Sequence, residues 1–419
     1  MNLADIQGSL PDSKLRAENQ WLFSPRPLQL SKGENKRLEK LGSTLAAFQK
    51  ASESIYQRSA KGRLPSWISE LLDAGKPSWL VEAQRSAELR DVLPRVIRPD
   101  LILTEDGFSL TELDSVPGGM GILQWLNQTY VQHGFDVLGG KDGMLEGFRS
   151  LMPDGGRILI SEESVDYQPE MQWLSDQLGD RWPLAAAEND AADEGAAYRF
   201  FEWFDWQNIP AAKELAKKID LTSPCKPHLE EKLWLALLWS PGMRGMWSSE
   251  MRGSNLQRMR ELVPHGWVVD PAPLPPQAAL PKLHVQSWQE VSQFSQKDRR
   301  LVLKISGFDE LAWGSRGVFI GHDMPGHEWA DVVSNAAEQF STSPWMMQEF
   351  HNGRVIDHPY FDPSTGEEKI MTGRARLCPY YFVGEDGKTQ LGGCLATIVP
   401  ADKKKIHGMK DGILVPCAW

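Results

Sequence analysis

The residues from Val96 to Gly121, VIRPDLILTEDGFSLTELDSVPGGMG, constrain the chain more than any other stretch. Two apolar runs, 96–103 and 108–113, flank Glu105-Asp106-Gly107, a turn of the kind that joins hairpin strands. Side chains alternate faces along a strand. Arg98, Asp100 and Ile102 therefore share one face, and Glu112 and Asp114 share one if the second strand runs that far. Three carboxylates and one arginine converging on one surface suit Mg²⁺, which prefers hard oxygen ligands and shares them with phosphate. Pro117-Gly118-Gly119-Met120-Gly121 then lets the backbone turn sharply and approach something closely. The plain alternative is a solvated hairpin with ordinary surface acids. Arg98 and Asp100 in the first strand weigh against it.

The rest of the chain is long enough, at 419 residues, for two to three packed domains. Residues 1–30 read as a loose arm broken by Pro11, Pro25 and Pro27. Helical spacing of apolar residues follows over 31–60, with a second helical piece at 65–73, so 1–95 is expected to be mainly helical. The hairpin and a helix beyond Gly121 make up 96–150. A strand at 157–161 and a helix at 168–179 give 151–225 a strand-helix character. In 226–419 the spacing predicts a helix over 228–240 and a Pro-rich boundary at 271–281. Strand 301–305, helix 327–339, strand 345–350 and strands near 371–383 and 390–399 follow. The expected class is α/β (α+β), mixed, with antiparallel sheet dominant at the C-terminal end.

A net charge of −11 argues against a nucleic-acid or membrane-surface binder. The four cysteines, Cys225, Cys378, Cys394 and Cys417, have no metal-site spacing, and reduced thiols in a cytoplasmic protein are expected. No apolar leader and no run long enough to span a membrane is read from the sequence. Seventeen tryptophans are first read as packing residues, with carbohydrate binding as the alternative. The aromatic run YRFFEWFDW, 198–206, is read the same way, as core before pocket lining.

The spacing of Arg98, Asp100, Glu112 and Asp114 resembles the metal-binding pattern of the ATP-grasp ligases. It is most similar to the circularly permuted branch that includes glutathionylspermidine synthase, although Asp114 stands where that family usually has Asn. Later segments appear in the order the resemblance implies. LVLKISGFDELAWGSRGVFIG, 301–321, has an apolar strand ending near Lys304 and a glycine-containing loop with Gly314, Arg316 and Gly317, longer than the family's. PWMMQEF, 344–350, resembles the family's hinge, with Gln348 and Glu349. HLEEKLWLALLW resembles its earlier lysine helix, which makes Lys232 the candidate, with Lys226 and Arg258 as alternatives. Arg374 and Arg376 lie on one face of the strand TGRARLCPYYFV, where they could meet a phosphate or pair with acids. His407 is read as structural rather than as a proton-transfer group.

The resemblance implies an ATP-grasp-like fold with a cleft between lobes and an ADP-forming carboxylate-amine ligase using ATP and Mg²⁺ through an acylphosphate. It assigns Asp100, Glu112 and Asp114 to the metal. Lys232, Lys304, Gly314, Gly317, Gln348 and Glu349 go to the nucleotide, and Arg98 and Arg316 to catalysis. The implied partners are a small-molecule carboxylate and amine, such as a peptide, an amino acid or a polyamine. The alternatives left open are a degenerate ATP-grasp protein that binds nucleotide or a partner without ligating, and an unrelated metal-dependent or glycan-binding protein.

Overall fold

The hairpin forms where its turn residues place it. Strands Val96–Thr104 and Gly107–Asp114 pair antiparallel in the computed structural model, which describes all residues except 12–14, 16–20, 192–194, 313, 315, 404 and 407–410. From Thr104↔Gly107 to Leu101↔Leu110 the register is regular. It then shifts by one, so that Asp100 faces Glu112 and Arg98 faces Asp114. Thr111 is the extra residue of this bulge, and its hydroxyl donates to the Asp100 carbonyl at 3.1 Å. Without the bulge Asp100 would face Thr111, and Glu112 and Asp114 would point to the opposite side.

The chain divides into two units. The first comprises Met1–Ala46, Ala87–Lys226 and Asn352–Trp419, and the second comprises Ala47–Ser86 and Pro227–His351. In the first, strand Glu368–Val383 pairs with Val96–Thr104 on one side and with Thr389–Pro400 on the other. Ile413–Ala418 and Leu28–Gln29 extend this sheet, and Val355–Phe361 also pairs with Glu368–Val383. Pairing between Val96–Thr104 and Glu368–Val383 is interrupted between Ile97 and Leu101, where Pro99 has no N–H to donate. Helices Met120–Gln132 and Gly143–Leu151 supply buried apolar side chains to this unit. A second, all-parallel sheet of the same unit contains Leu184–Ala186, Arg157–Ile160, Ala197–Phe200 and Leu221–Thr222, with helix Gln168–Leu178. The fold class is thus mixed α/β with parallel and antiparallel sheets, as expected.

The second unit is built on an antiparallel sheet in the order Val318–Ile320, Leu301–Ile305, Trp345–Glu349, Gly266–Val268. Leu301, Leu303, Ile305, Trp345, Met347 and Trp267 form a core with Trp329 and Val333 of helix Gly326–Glu338. Because side chains alternate, Lys304 and Gln348 lie on the other face.

Two expectations about local structure change. The arm over 1–30 is not uniformly loose: helix Leu3–Gly8 is closed by an Asn2–Asp5 capping box, and Trp21 and Phe23 are buried against Trp125. Burial of these rings offsets the cost of ordering a proline-broken segment. The 228–240 helix is instead a 3₁₀ turn, Pro227–Glu230, followed by a short helix, Leu233–Leu237. Buried His228 causes the break. Its ring bonds Glu53 at 2.6 Å and Gln84 at 2.9 Å, and its backbone N–H also donates to Gln84. The aromatic run at 198–206 is largely core, with Tyr198, Phe200, Phe201 and Trp203 buried. All four cysteines are free and buried. Among the described residues no helix is long and apolar enough to cross a membrane.

Candidate functional site

In the first unit the bulged hairpin brings Arg98, Asp100 and Asp114 together. One guanidinium nitrogen of Arg98, Nη2, lies 3.1 Å from Asp100 Oδ1 and 3.0 Å from Asp114 Oδ2. Arg376 Nη1 holds the other Asp100 oxygen at 2.9 Å, and Cys378 Sγ lies 3.4 Å from Oδ1. Asp114 Oδ1 accepts the Val116 N–H at 2.7 Å. The two acids thus meet two fixed cations. Burial raises the Asp114 carboxyl's pKa, opposed by Arg98 and reinforced by Glu112 and Asp100. Burial works against charge on Arg98, yet Asp100 and Asp114 outweigh it and hold the guanidinium well above its ordinary value. Burial lifts the Cys378 thiol to about 12, so it is no nucleophile at neutral pH.

This arrangement sets Arg98 among the acids of the expected metal site. Asp100, Glu112 and Asp114 do share the expected edge, but Arg98 Nη2 stands between Asp100 and Asp114 where a divalent ion would have to bridge them. Among the described residues no three His, Cys, Asp or Glu side chains form a group able to hold a metal ion. As the side chains stand, they do not fit Mg²⁺.

The glycines after the hairpin also have a different use from room beside a substrate. A Cβ on Gly118 would lie 2.2 Å from the Tyr167 ring, and one on Gly121 would lie 2.4 Å from the Glu170 carbonyl. Gly119 has φ +88 and faces the Tyr380 hydroxyl, which donates to Gly118 O at 2.6 Å. Glu170 accepts the Gly119 N–H at 2.8 Å, and burial lifts its carboxyl to about 7. Sequence reasoning missed Glu170. Its signal was an acid on the Glu170, Leu174, Leu178 stripe of an otherwise apolar helix face.

In the second unit Lys304 and Lys232 are buried, 5% and 7% exposed. Lys304 Nζ donates to Gln348 Oε1 at 3.1 Å, while Gln348 Nε2 is buried with no hydrogen-bond partner among the described residues. Lys232 Nζ donates to the Ala312 carbonyl at 3.3 Å, which ties it to the 306–317 loop. The root of that loop is held by Glu231, which accepts from the Ser306 hydroxyl and, at 2.7 Å, from the Gly307 N–H. Glu231 in turn pairs with Lys76, both side chains nearly inaccessible. Glu231 was missed, and nothing in the sequence beyond its place beside Lys232 marks it. Within the loop, Gly314 has φ +63, and a Cβ on Gly317 would lie 2.4 Å from Ile305. Arg316 donates to the Glu310 carbonyl at 2.7 Å. Glu349 pairs with Lys282 at 2.9 Å. Of the alternatives to Lys232, Lys226 is fully buried in the first unit, and Arg258 bonds Asn255 at 3.3 Å. Arg374 donates to the Gly353 and Ala401 carbonyls, whereas Arg376 is the partner of Asp100. His407 lies outside the described residues.

Comparison with solved structures finds a glutathione synthetase-like effector from Globodera pallida. It has a TM-score of 0.54 and 12% identity, over 95% of this chain and 90% of that one. A putative gamma-glutamylcysteine synthetase from Methylobacillus flagellatus aligns with a TM-score of 0.42 and 11% identity, over 85% and 87% of the two chains. No family model matches the sequence, and no curated protein matches it. The chain therefore shares its fold with that effector across nearly its whole length.

Proposed function

We propose that this chain is an ATP-dependent carboxylate-amine ligase, ADP-forming, of the permuted ATP-grasp type. The observation that carries this reading is the Lys304–Gln348 pair. Buried Lys304 lies on one sheet face with Gln348, whose buried amide N–H has no hydrogen-bond partner among the described residues. Such donors call for ligand oxygens. In this reading Lys304 and Lys232 bind phosphate oxygens. The 306–317 loop, with Gly314, Arg316 and Gly317, covers them, and Gln348 and Glu349 face the nucleoside.

The reaction joins two small molecules. A carboxylate oxygen attacks the γ-phosphorus, the bond to the β,γ-bridging oxygen breaks, and ADP leaves. An amine nitrogen then attacks the acyl carbon, loses a proton, and phosphate departs. Lysines 232 and 304 neutralise the crowded charge. The substrates belong to the class of a peptide, amino acid or polyamine. Neither a nucleic acid nor a membrane is a partner. Metal use at Asp100, Glu112 and Asp114 requires Arg98 to leave its place between the two aspartates.

That closed arrangement favours a second reading, a protein that binds nucleotide without turning it over. Calorimetric titration with ATP, with and without Mg²⁺ and with GTP as control, tests both. Binding that weakens by about tenfold or more in Lys304→Ala supports the nucleotide site. ADP release with carboxylate and amine mixtures then selects the ligase, and binding without release selects the second reading. No ATP binding by folded protein would overturn both.

A further inference from the structure

The second unit also holds a cavity of about 1200 Å³ whose lining includes neither Lys304 nor Gln348. Its walls include Trp67, Trp239, Trp267, Trp288 and His265, and the Pro-rich 271–281 segment contributes further lining. Two of the indoles are fixed by that segment and its flank: Trp267 Nε1 donates to the Pro281 carbonyl and Trp288 Nε1 to the Asp270 carbonyl, each at 2.9 Å. The His265 ring sits between Trp239 and Trp267, 4.8 Å from each ring centre. His265 is 8% exposed, and its Nδ1 has no hydrogen-bond partner among the described residues. The indole N–H of Trp239 is likewise buried without an acceptor. Burial and the nearby Lys282 push the imidazole down to about 4, so it is neutral in ordinary buffers.

The charge of the wall decides the class of ligand. Glu70 and Asp270 line it, and no described lysine or arginine does. A triphosphate or carboxylate would meet two acids in the lining, while Lys282, near His265, is paired with Glu349. Indole faces attract cations through the ring quadrupole, most strongly where water is excluded. We propose that this cavity binds an organic cation: an ammonium carried on an apolar body, seated against the tryptophan faces, with Glu70 and Asp270 as counter-charge. The volume exceeds what a bare head group fills, so the body is of substantial size. The site does not depend on the ligase reading.

The test uses the full chain, with choline as the probe and 3,3-dimethylbutan-1-ol as its neutral isostere, followed by calorimetry and tryptophan fluorescence. Choline is expected to bind about tenfold more tightly than the isostere. Glu70→Gln with Asp270→Asn, two exposed positions, is expected to remove most of that advantage, and Trp239→Ala to lower choline affinity further. Equal binding of the two probes, or binding of neither, by protein with a wild-type unfolding midpoint would overturn the proposal. An unchanged preference in the Glu70→Gln/Asp270→Asn variant would overturn the counter-charge role. ATP binding is measured separately, so loss of the nucleotide reading with choline binding intact leaves this site standing.

Discussion

The two units bury charge in different ways. On the hairpin of the first, Asp100 and Asp114 are met by Arg98 and Arg376, all four projecting from paired strands. In the second, the acid is Glu231, in the turn just before Lys232, and it holds Lys76 together with the root of the 306–317 loop. Lys232 and Lys304 there donate to a carbonyl and an amide. A strand-built cluster fixes its members by register and leaves little space for an added ion. The Glu231 anchor fixes the root of the 306–317 loop, and Lys232 bonds it further along at Ala312. The lesson is that the strand acids are answered by arginines, whereas the two buried lysines bond only neutral groups in the contacts named.

The sharpest way to break this contrast is to remove the anchor. Glu231→Gln leaves the Lys76 ammonium with the Leu72 carbonyl but no counter-charge, in a site where the paired side chains are 1% and 2% exposed. Removing one partner of such a pair costs about 3–5 kcal/mol, read as a drop in urea stability. A Lys76→Met/Glu231→Gln double variant, which keeps an acceptor for Ser306 and Gly307, should recover most of it. A double variant as unstable as the single one would show that packing, rather than the buried charge, sets the cost.

Arg98→Met tests the other region. The loss should be about 3 kcal/mol or less, at or below the low end for a broken buried pair, because Arg376 still holds Asp100 at 2.9 Å. The same variant should acquire Mg²⁺-dependent thermal stabilisation that the wild type lacks without nucleotide. If wild type and variant respond alike to Mg²⁺, Arg98 is not what keeps the ion out.

Glu170 offers an effect read as a pH slope rather than as a single loss. Its carboxyl is raised from 4.5 to about 7 by burial, so the folded state holds a proton more tightly than the unfolded chain. The resulting stabilisation is complete below about 4.5 and is lost as the pH rises through about 7. Glu170→Gln should flatten stability across that window, and an unchanged slope would place the titration elsewhere.

Much of the fold was legible in residue order. The hairpin turn at Glu105-Asp106-Gly107, strand Leu301–Ile305, helix Gly326–Glu338 and strand Trp345–Glu349 all lie within a residue or two of where alternation and helical spacing put them. These signals are local, and local periodicity survives without knowledge of neighbours. The 228–240 segment misled because buried bonds from His228 to Glu53 and Gln84 override helix propensity, and those partners lie far away in sequence.

The sequence by itself determined that residues 96–114 form a hairpin bearing Arg98, Asp100, Glu112 and Asp114, and that Lys304 and Gln348 lie in apolar strands. Only the tertiary structure decided what those residues face. The bulge at Thr111 moved the acids onto the side of Arg98 and Asp100, and the pairing of Glu368–Val383 with Val96–Thr104 brought Arg376 to Asp100. A one-residue shift in register reverses every side chain of a strand, and a partner strand some 270 residues away leaves no trace in local spacing.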